Sequence, residues 1–259
     1  MRIKSAGILL LCCLTTGCSV FAEKPNYASE KKVLTGRSNS EKAKSLTDLG
    51  IAYYQLGKYE YASDNLRRAL ALDSHNAITY QTLALINVRR KKPEQAELFF
   101  LKALEYAPKD FNILTAYAVF LYEQDEVDLA LVNFKRVIAA SFYQNKWTAY
   151  TYLGFYDLQT QQQRAAEMKF YTALKINPSY ALALIEMAKI RYAKAEMMSA
   201  RGFIERYFNS AGKTLEGLVL AIKIETALQD PKMVEQYQLE LTRAYPFSDA
   251  AEKLKHSID

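Results

Sequence analysis

The sequence predicts an all-α protein, a right-handed superhelical solenoid built from about six helix–turn–helix repeats. Small residues recur with a spacing of 34 at Ala62, Ala96 and Ala130, and large apolar residues recur with the same spacing at Leu66, Phe100 and Phe134. Half of the chain is hydrophobic, and its 19 tyrosines and 12 phenylalanines outnumber its 9 glycines and 6 prolines. This composition favours packed helices over disorder.

The unit over residues 43–76 carries the pattern most clearly. Leu46, Leu49 and Tyr53 are spaced to fill the room between two helices, whereas Gly50 is small enough to let the helices cross. A 34-residue period of this kind is typical of the tetratricopeptide repeat. Because one such helix pair cannot bury its apolar face alone, we expect the pairs to stack on one another.

The pattern divides the chain into six predicted repeats and a C-terminal tail. The repeats cover residues 43–76, 77–110, 111–146, 147–180, 181–214 and 215–248, and the tail covers residues 249–259. The third repeat is two residues longer than its neighbours because of the stretch around residues 141–145. The sixth has lost much of the pattern, so it is either a true repeat or a capping helix pair.

The N-terminus reads as a lipoprotein signal peptide over residues 1–17. Arg2 and Lys4 precede a short apolar core, which is too short to span a bilayer as a mature helix. Small residues ending in Gly-Cys follow, and they resemble the bacterial lipobox, in which the cysteine is lipidated and becomes the first residue. Here Cys18 would carry the lipid, although Thr15 stands where a leucine is usual. The alternative is ordinary cleavage after Ala22 with loss of Cys18.

The cysteine positions agree with this interpretation. The chain has three cysteines, Cys12, Cys13 and Cys18, all at or before the proposed cut. A mature body without a free thiol suits an oxidising compartment such as the periplasm. Three acyl chains would anchor the protein stably. By resemblance to bacterial lipoproteins, Ser19 after the lipidated cysteine favours sorting to the outer membrane, at its periplasmic face. Residues 18–42 are predicted to form a flexible tether, at the end of which Ser40 and Glu41 cap the first helix.

Composition and motifs argue against nucleic-acid binding and against catalysis. The formal charge is +6, and loss of Arg2 and Lys4 would leave +4, with no dense basic stripe for a phosphate backbone. His75 and His256 are the two histidines and lack metal-ligand neighbours at helical spacing. The acidic residues between Glu123 and Asp128 suit a solvated turn better than a calcium loop. We expect no enzyme activity, no metal, no small-molecule substrate and no cofactor besides the lipid.

The first helix of each tetratricopeptide repeat lines the concave side, and its second, fifth, ninth, twelfth and thirteenth positions point inward. The predicted partner-binding groove consists of Ile51, Tyr54, Gln55, Ile78, Gln81, Leu85, Val88, Val119 and Tyr122. The same rule adds Arg89, Thr115, Thr151, Phe155, Leu158, Ile185, Lys189 and Tyr192. The set is mainly apolar, which suits the apolar face of an amphipathic helix. The alternative is that tight winding buries many of these side chains as core.

The whole layout resembles the type IV pilus biogenesis and stability lipoproteins, the PilF or PilW family of secretin pilotins. The similarity is carried by the lipobox-like start, the short tether, the repeats and several local strings. These strings are residues 43–54, Asp73-Ser74-His75-Asn76-Ala77, Ala139-Ala140-Ser141-Phe142-Tyr143 and Tyr245-Pro246-Phe247-Ser248. The resemblance implies a protein that helps the pilus secretin reach, enter or multimerise in the outer membrane, with partner capture on the first repeats.

Two functional hypotheses follow from the sequence. The first is a lipid-anchored adaptor whose groove over repeats one to three holds an amphipathic segment of the secretin subunit. The second is a general envelope scaffold that serves the assembly of outer-membrane barrel proteins or cell-wall enzymes. Identification of the co-purifying protein separates the two.

Overall fold

A computed structural model describes residues 38–255 of the chain. This part consists of thirteen α-helices without a strand. The helices are α1 (Asn39–Gln55), α2 (Tyr59–Leu72), α3 (Ala77–Arg89), α4 (Pro93–Tyr106), α5 (Phe111–Glu123), α6 (Val127–Ala139), α7 (Trp147–Gln159), α8 (Gln163–Ile176), α9 (Ala181–Ala193), α10 (Met197–Ala211), α11 (Leu215–Ala227), α12 (Pro231–Ala244) and α13 (Asp249–Lys255). Odd-numbered helices from α1 to α11 are the first helices of six repeats, and even-numbered helices are the second. The predicted all-α solenoid of helix pairs is confirmed.

The first helix starts earlier than expected. Ser38 caps α1, because its hydroxyl accepts from the Glu41 backbone N–H at 3.2 Å. The Glu41 carboxylate in return accepts from the Ser38 N–H at 2.8 Å, so the two residues form a capping box. The predicted cap at Ser40 is therefore wrong, and residues 39–42 are helical rather than part of a tether. The rest of the predicted tether and the signal peptide with Cys18 lie outside the described residues.

Each repeat turns at a residue in the left-handed conformation. This residue occupies the same place between the two helices of every pair: Gly57, Lys91, Asp125, Gln161, Ala195 and Gln229, with φ between +55° and +71°. A left-handed residue ends the first helix and reverses the chain within a few residues. Only the first repeat uses glycine, the residue that adopts this conformation without steric cost.

This turn yields a matched pair of stability predictions. Ala195→Gly is expected to raise the free energy of unfolding by about 1 kcal/mol, because glycine relieves the left-handed strain of a β-carbon. Gly57→Ala is expected to lower it by a similar amount, since a β-carbon there has open space and only the backbone conformation is strained. Urea unfolding monitored by circular dichroism measures both. Equal effects of the same sign would show that the turn conformation does not set these energies.

The core lies between the helices of each pair and between successive pairs. Small residues on the second helices are fully buried at Ala62, Ala96, Ala130, Ala166 and Ala200, and large ones at Leu66, Phe100, Phe134, Phe170 and Ile204. Two glycines mark close crossings of the two helices within a pair. A β-carbon on Gly50 would lie 2.6 Å from Cγ of Leu66, and one on Gly154 would lie 2.8 Å from Cε1 of Phe170. The predicted small-against-large packing is thus present in the first five repeats.

The sixth repeat keeps the helix pair but loses this packing. The partly buried Val234 and Gln238 stand where earlier repeats place the buried alanine and the large apolar residue. Tyr237 and Leu241 are buried instead. The predicted C-terminal tail is helical over residues 249–255, and Ala251 of α13 is fully buried in the core cluster of repeats four to six. The solenoid therefore ends in a packed helix, which covers the last pair.

None of the helices in the described part has the length and hydrophobicity needed to cross a membrane.

Candidate protein-binding groove

The first helices form the inner side of the solenoid. First helices of neighbouring repeats contact one another at most steps, whereas second helices of neighbouring repeats approach one another less closely. Between α1 and α3 the contact includes a hydrogen bond of 2.7 Å between the hydroxyl groups of Thr47 and Thr79. Because the first helices lie closer together than the second helices, the stack curves so that the first helices line its concave side. The face lined by α1, α3 and α5 is the surface that the sequence proposed for binding, and we call it the repeat one–three groove.

The nine predicted groove residues are all at least partly accessible. Gln55 and Ile78 are exposed, and Ile78 has 51% of its surface open to solvent. The other seven are half-buried, namely Ile51, Tyr54, Gln81, Leu85, Val88, Val119 and Tyr122. Leu85, Val88 and Val119 also pack against the core cluster around Phe100 and Phe134. These three therefore form the floor of the groove and contribute to the core at the same time.

Three further positions assigned to the inner face are core instead. Thr151 is fully buried, and Ile185 and Thr115 are 3% and 8% exposed. The Thr151 hydroxyl donates to the Trp147 carbonyl oxygen at 2.9 Å, so its polar atom is satisfied within its own helix. The prediction that these three residues point into the groove is wrong. Neighbouring first helices lie close enough to cover the fifth position in repeats three, four and five, whereas Gln81 at the same position of repeat two stays half-buried.

Charge is scarce along α3, α5 and α7. Their charged residues are Arg89, Glu123 and Asp157. Asp157 is buried and paired with Lys169. Hydrogen bonding to Tyr54 raises the pKa of the Arg89 guanidinium above the ordinary arginine value. The middle of the solenoid therefore offers an inner face with one exposed cation and one exposed anion.

Repeats five and six have a different inner face. Lys189 lies between Glu186 and Glu216, with nitrogen–oxygen distances of 2.6 Å to both. A cavity of about 420 Å³ lies next to them and is also lined by Lys223. Charge pairs occupy the surface here, so a continuous apolar strip is restricted to the earlier repeats.

Tyr122 is a wall of the groove rather than a hydrogen-bonding contact. Its ring lies edge-on to that of Tyr152, with ring centroids 5.3 Å apart. Its hydroxyl is buried and has no hydrogen-bond partner among the described residues. Burial raises the pKa of the Tyr122 hydroxyl.

A cavity that sequence reasoning missed opens at the turn end of the groove. It has a volume of about 460 Å³, and the residues that line it include Val88, Lys91, Lys92, Phe120 and Glu123. Only Val88 was among the predicted groove residues. The inward-position rule covers first helices alone, so it leaves out the turn residues that join the two helices. The two lysines give this end of the groove a basic rim.

The sequence predicts that neither of the two histidines binds a metal ion. His75 is exposed and stacks edge-on against Tyr106, with ring centroids 4.8 Å apart. His256 lies outside the described residues. Across residues 38–255, no group of three histidine, cysteine, aspartate or glutamate side chains is placed to hold a metal ion.

Comparison with known proteins identifies the first two repeats. Tetratricopeptide repeat models match residues 43–76 and 77–110. The fold is that of a tetratricopeptide repeat solenoid. The chain is also similar over nearly its whole length to a curated protein, the type IV pilus assembly protein PilF of Pseudomonas aeruginosa. The two are 27% identical over 248 residues, which is 96% of each chain.

Two solved structures extend the similarity to three dimensions. The structure of Pseudomonas aeruginosa PilF matches 85% of this chain and all of that chain, with a TM-score of 0.73 and 26% identity. The structure of PilW, described as a widely conserved type IV pilus biogenesis factor, matches 82% of this chain and 97% of that chain. Its TM-score is 0.68 at 21% identity, which shows a shared fold. The predicted resemblance to the PilF and PilW proteins is confirmed.

Proposed function

We propose that this tetratricopeptide protein is a non-enzymatic scaffold for type IV pilus biogenesis, held at the outer membrane by a lipid on Cys18. The observation that carries the proposal is the end-to-end similarity to PilF, which spans 96% of both chains and includes the whole of the PilF structure. Similarity confined to generic repeats would cover a few helix pairs. Here it extends over the tether region and the degenerate last repeat as well.

The proposed partner is the pilus secretin subunit, and the proposed contact is the repeat one–three groove. Its floor of Leu85, Val88 and Val119 is apolar and half-buried, so it is open to a further layer of side chains. An amphipathic helix buries its own apolar stripe in such a groove. The basic rim at Lys91 and Lys92 would suit an acidic residue at one end of that helix. A strongly charged peptide would find few partners there.

Attachment at Cys18 would place the scaffold where the secretin must arrive. The sequence between Cys18 and Ser38 would connect the lipid to the first helix, and a lipoprotein carries enough acyl chains for stable anchoring. In this scheme the scaffold holds the secretin subunit while both travel to the outer membrane. In this proposal the groove recognises the secretin subunit, and the lipid determines that the scaffold is located at the outer membrane.

Cys18→Ala tests this scheme. We expect the variant to keep its fold, since the first described helix starts at Asn39. It should leave the outer-membrane fraction and reduce outer-membrane secretin multimers by at least tenfold. Cell fractionation and immunoblotting of unboiled membranes measure both effects. Cys13→Ala is the matched control, because that cysteine would be removed with the signal peptide. Normal secretin multimers in the Cys18→Ala strain would contradict the proposal, as would co-purification of barrel-assembly proteins or murein hydrolases in place of secretin.

A further inference from the structure

The solenoid has two edges of different chemistry. Every first helix begins, and every second helix ends, at the same edge, which we call the inter-repeat edge. It consists of the connections at residues 73–76, 107–110, 140–146, 177–180, 212–214 and 245–248. Ser38, where the described chain begins, caps α1 at this edge. The chain that leads from Cys18 therefore reaches the solenoid on the side where the repeats join.

Two phenylalanines project from the inter-repeat edge. Phe142 is 98% exposed and Phe247 is 97% exposed, which makes them the most exposed large apolar residues of the described part. Most phenylalanines are buried, and an apolar side chain left fully in water gains nothing from folding. Two such side chains on one edge are therefore free to contact an apolar surface outside the chain.

The backbone beside each phenylalanine is anchored by a tyrosine. Next to Phe142, the Tyr143 ring packs on Phe111 with ring centroids 5.6 Å apart, and its hydroxyl donates to Oδ1 of Asn112 at 3.0 Å. Near Phe247, the Tyr245 hydroxyl donates to the Lys213 carbonyl oxygen at 3.1 Å. The loops are thus held to the solenoid while the phenylalanine side chains point away from it.

The inter-repeat edge carries charged residues of both signs, with Asp73 and Asp110 in its connections as well as lysines. Exposed lysines lie near the inter-repeat edge at Lys109 in a connection and at Lys175 near the end of α8. Long basic side chains reach the headgroup level while neighbouring aromatic rings enter the acyl boundary. The opposite edge also carries lysines, at Lys91 and Lys92, and its other turns, such as those at 124–126 and 160–162, are polar. Lysines therefore do not distinguish the two edges, and the two fully exposed phenylalanines do. Leu56 is the large exposed apolar residue in a turn of that edge, with 68% of its surface open.

We propose that the inter-repeat edge rests on a lipid bilayer, with Phe142 and Phe247 inserted at the level of the headgroups. This inference rests on the proposed lipid attachment at Cys18, because it orients a solenoid already held at the membrane. A lipid surface fits better than a bound peptide. The two phenylalanines belong to connections three repeats apart, and each is a single projecting side chain rather than part of a groove. Docking at this edge leaves the inner face open to a protein partner.

Fluorescence quenching in vesicles tests the orientation. A chain that starts at Cys18 is coupled through its thiol to a maleimide lipid, in vesicles of phosphatidylethanolamine and phosphatidylglycerol with brominated acyl chains. Trp147, the single tryptophan, is first replaced in Trp147→Phe. Phe142→Trp, Phe247→Trp and the control Leu56→Trp are then made separately in that background. Circular dichroism melting confirms that each variant folds, since all three positions are exposed.

The expected result is at least threefold more quenching by brominated lipid at positions 142 and 247 than at position 56, with a blue-shifted emission. Equal, weak quenching at the three positions would overturn the proposal. Strong quenching at position 56 alone would show that the opposite edge faces the bilayer, and would overturn it too. Because the lipid is attached chemically, the outcome does not depend on whether the cell lipidates Cys18. Failure of the edge proposal and failure of the proposed function can therefore be told apart.

Discussion

Arg201→Met is expected to lower the free energy of unfolding by about 3 kcal/mol. Arg201 on α10 holds the carboxylate of Glu225 on α11 with two nitrogens, one of them Nε at 2.9 Å, and also lies 3.3 Å from a carboxylate oxygen of Asp230. Glu225 is 1% exposed. Removing the arginine leaves a buried anion without its principal cation, and that costs far more than the pair contributes in net terms. The pair joins repeat five to repeat six, so its loss should loosen the degenerate repeat first.

Chemical denaturation of three variants measures this effect. The double variant Arg201→Met/Glu225→Met should recover most of the lost stability, because two apolar side chains replace the two charges together. Lys213→Met removes a charge pair with Glu240 in which the two side chains are 43% and 31% exposed, and it is expected to cost less than about 1 kcal/mol. A cost for Arg201→Met no larger than that of Lys213→Met would show that Glu225 is solvated in solution. If the double variant is as unstable as Arg201→Met, the loss of stability comes from lost packing and not from an unpaired buried charge.

The periodic features of the fold could be predicted from the sequence. Recurring small and large residues such as Ala96 and Phe100 identify where two helices cross, and this information is local to each repeat. The left-handed turn residues could not be found in the same way. Only at Gly57 does the residue type itself indicate a left-handed conformation. Ala195 adopts the same conformation because the chain must reverse between the two helices on either side of it.

The remaining differences depend on which of several possible contacts, local or long-range, the chain makes. The capping box at Ser38 depends on Glu41, and the sequence also offers Ser40 as a cap. The helix at residues 249–255 forms because Ala251 finds a buried place against repeat six, which a search for repeats does not show. The same limit applies to the groove, since whether Thr151 faces a partner or a neighbouring helix depends on how closely the first helices approach.

Leu85→Lys is expected to weaken partner binding by at least tenfold while changing the melting temperature by only a few degrees. Leu85 is half-buried on the floor of the repeat one–three groove. The aliphatic part of lysine covers the same floor, and its ammonium group reaches the groove opening. The apolar face of a docked helix would then have to desolvate that charge, which is costly without an anionic partner. Arg89, one turn away, provides like charge and no compensation.

Two control variants separate the effect of a charge in the groove from the effects of changing Leu85 or of adding a lysine elsewhere. Leu85→Met keeps the volume and the apolar character, so it should bind normally. Val132→Lys places the same charge on a second helix, where the side chain is 56% exposed on the outer face. It should bind normally as well. A sharp fall in melting temperature for Leu85→Lys alone would assign Leu85 to the core and remove it from the binding surface.

Co-purification from detergent-solubilised envelopes, with unbiased identification of the captured proteins, tests the central claim most directly. The apolar inner face of repeats one to three is proposed to hold a segment of the pilus secretin. We predict that the wild-type chain, Leu85→Met and Val132→Lys each capture the secretin, and that Leu85→Lys does not. Undiminished capture of the secretin by Leu85→Lys, or its absence from the wild-type sample, would contradict the account.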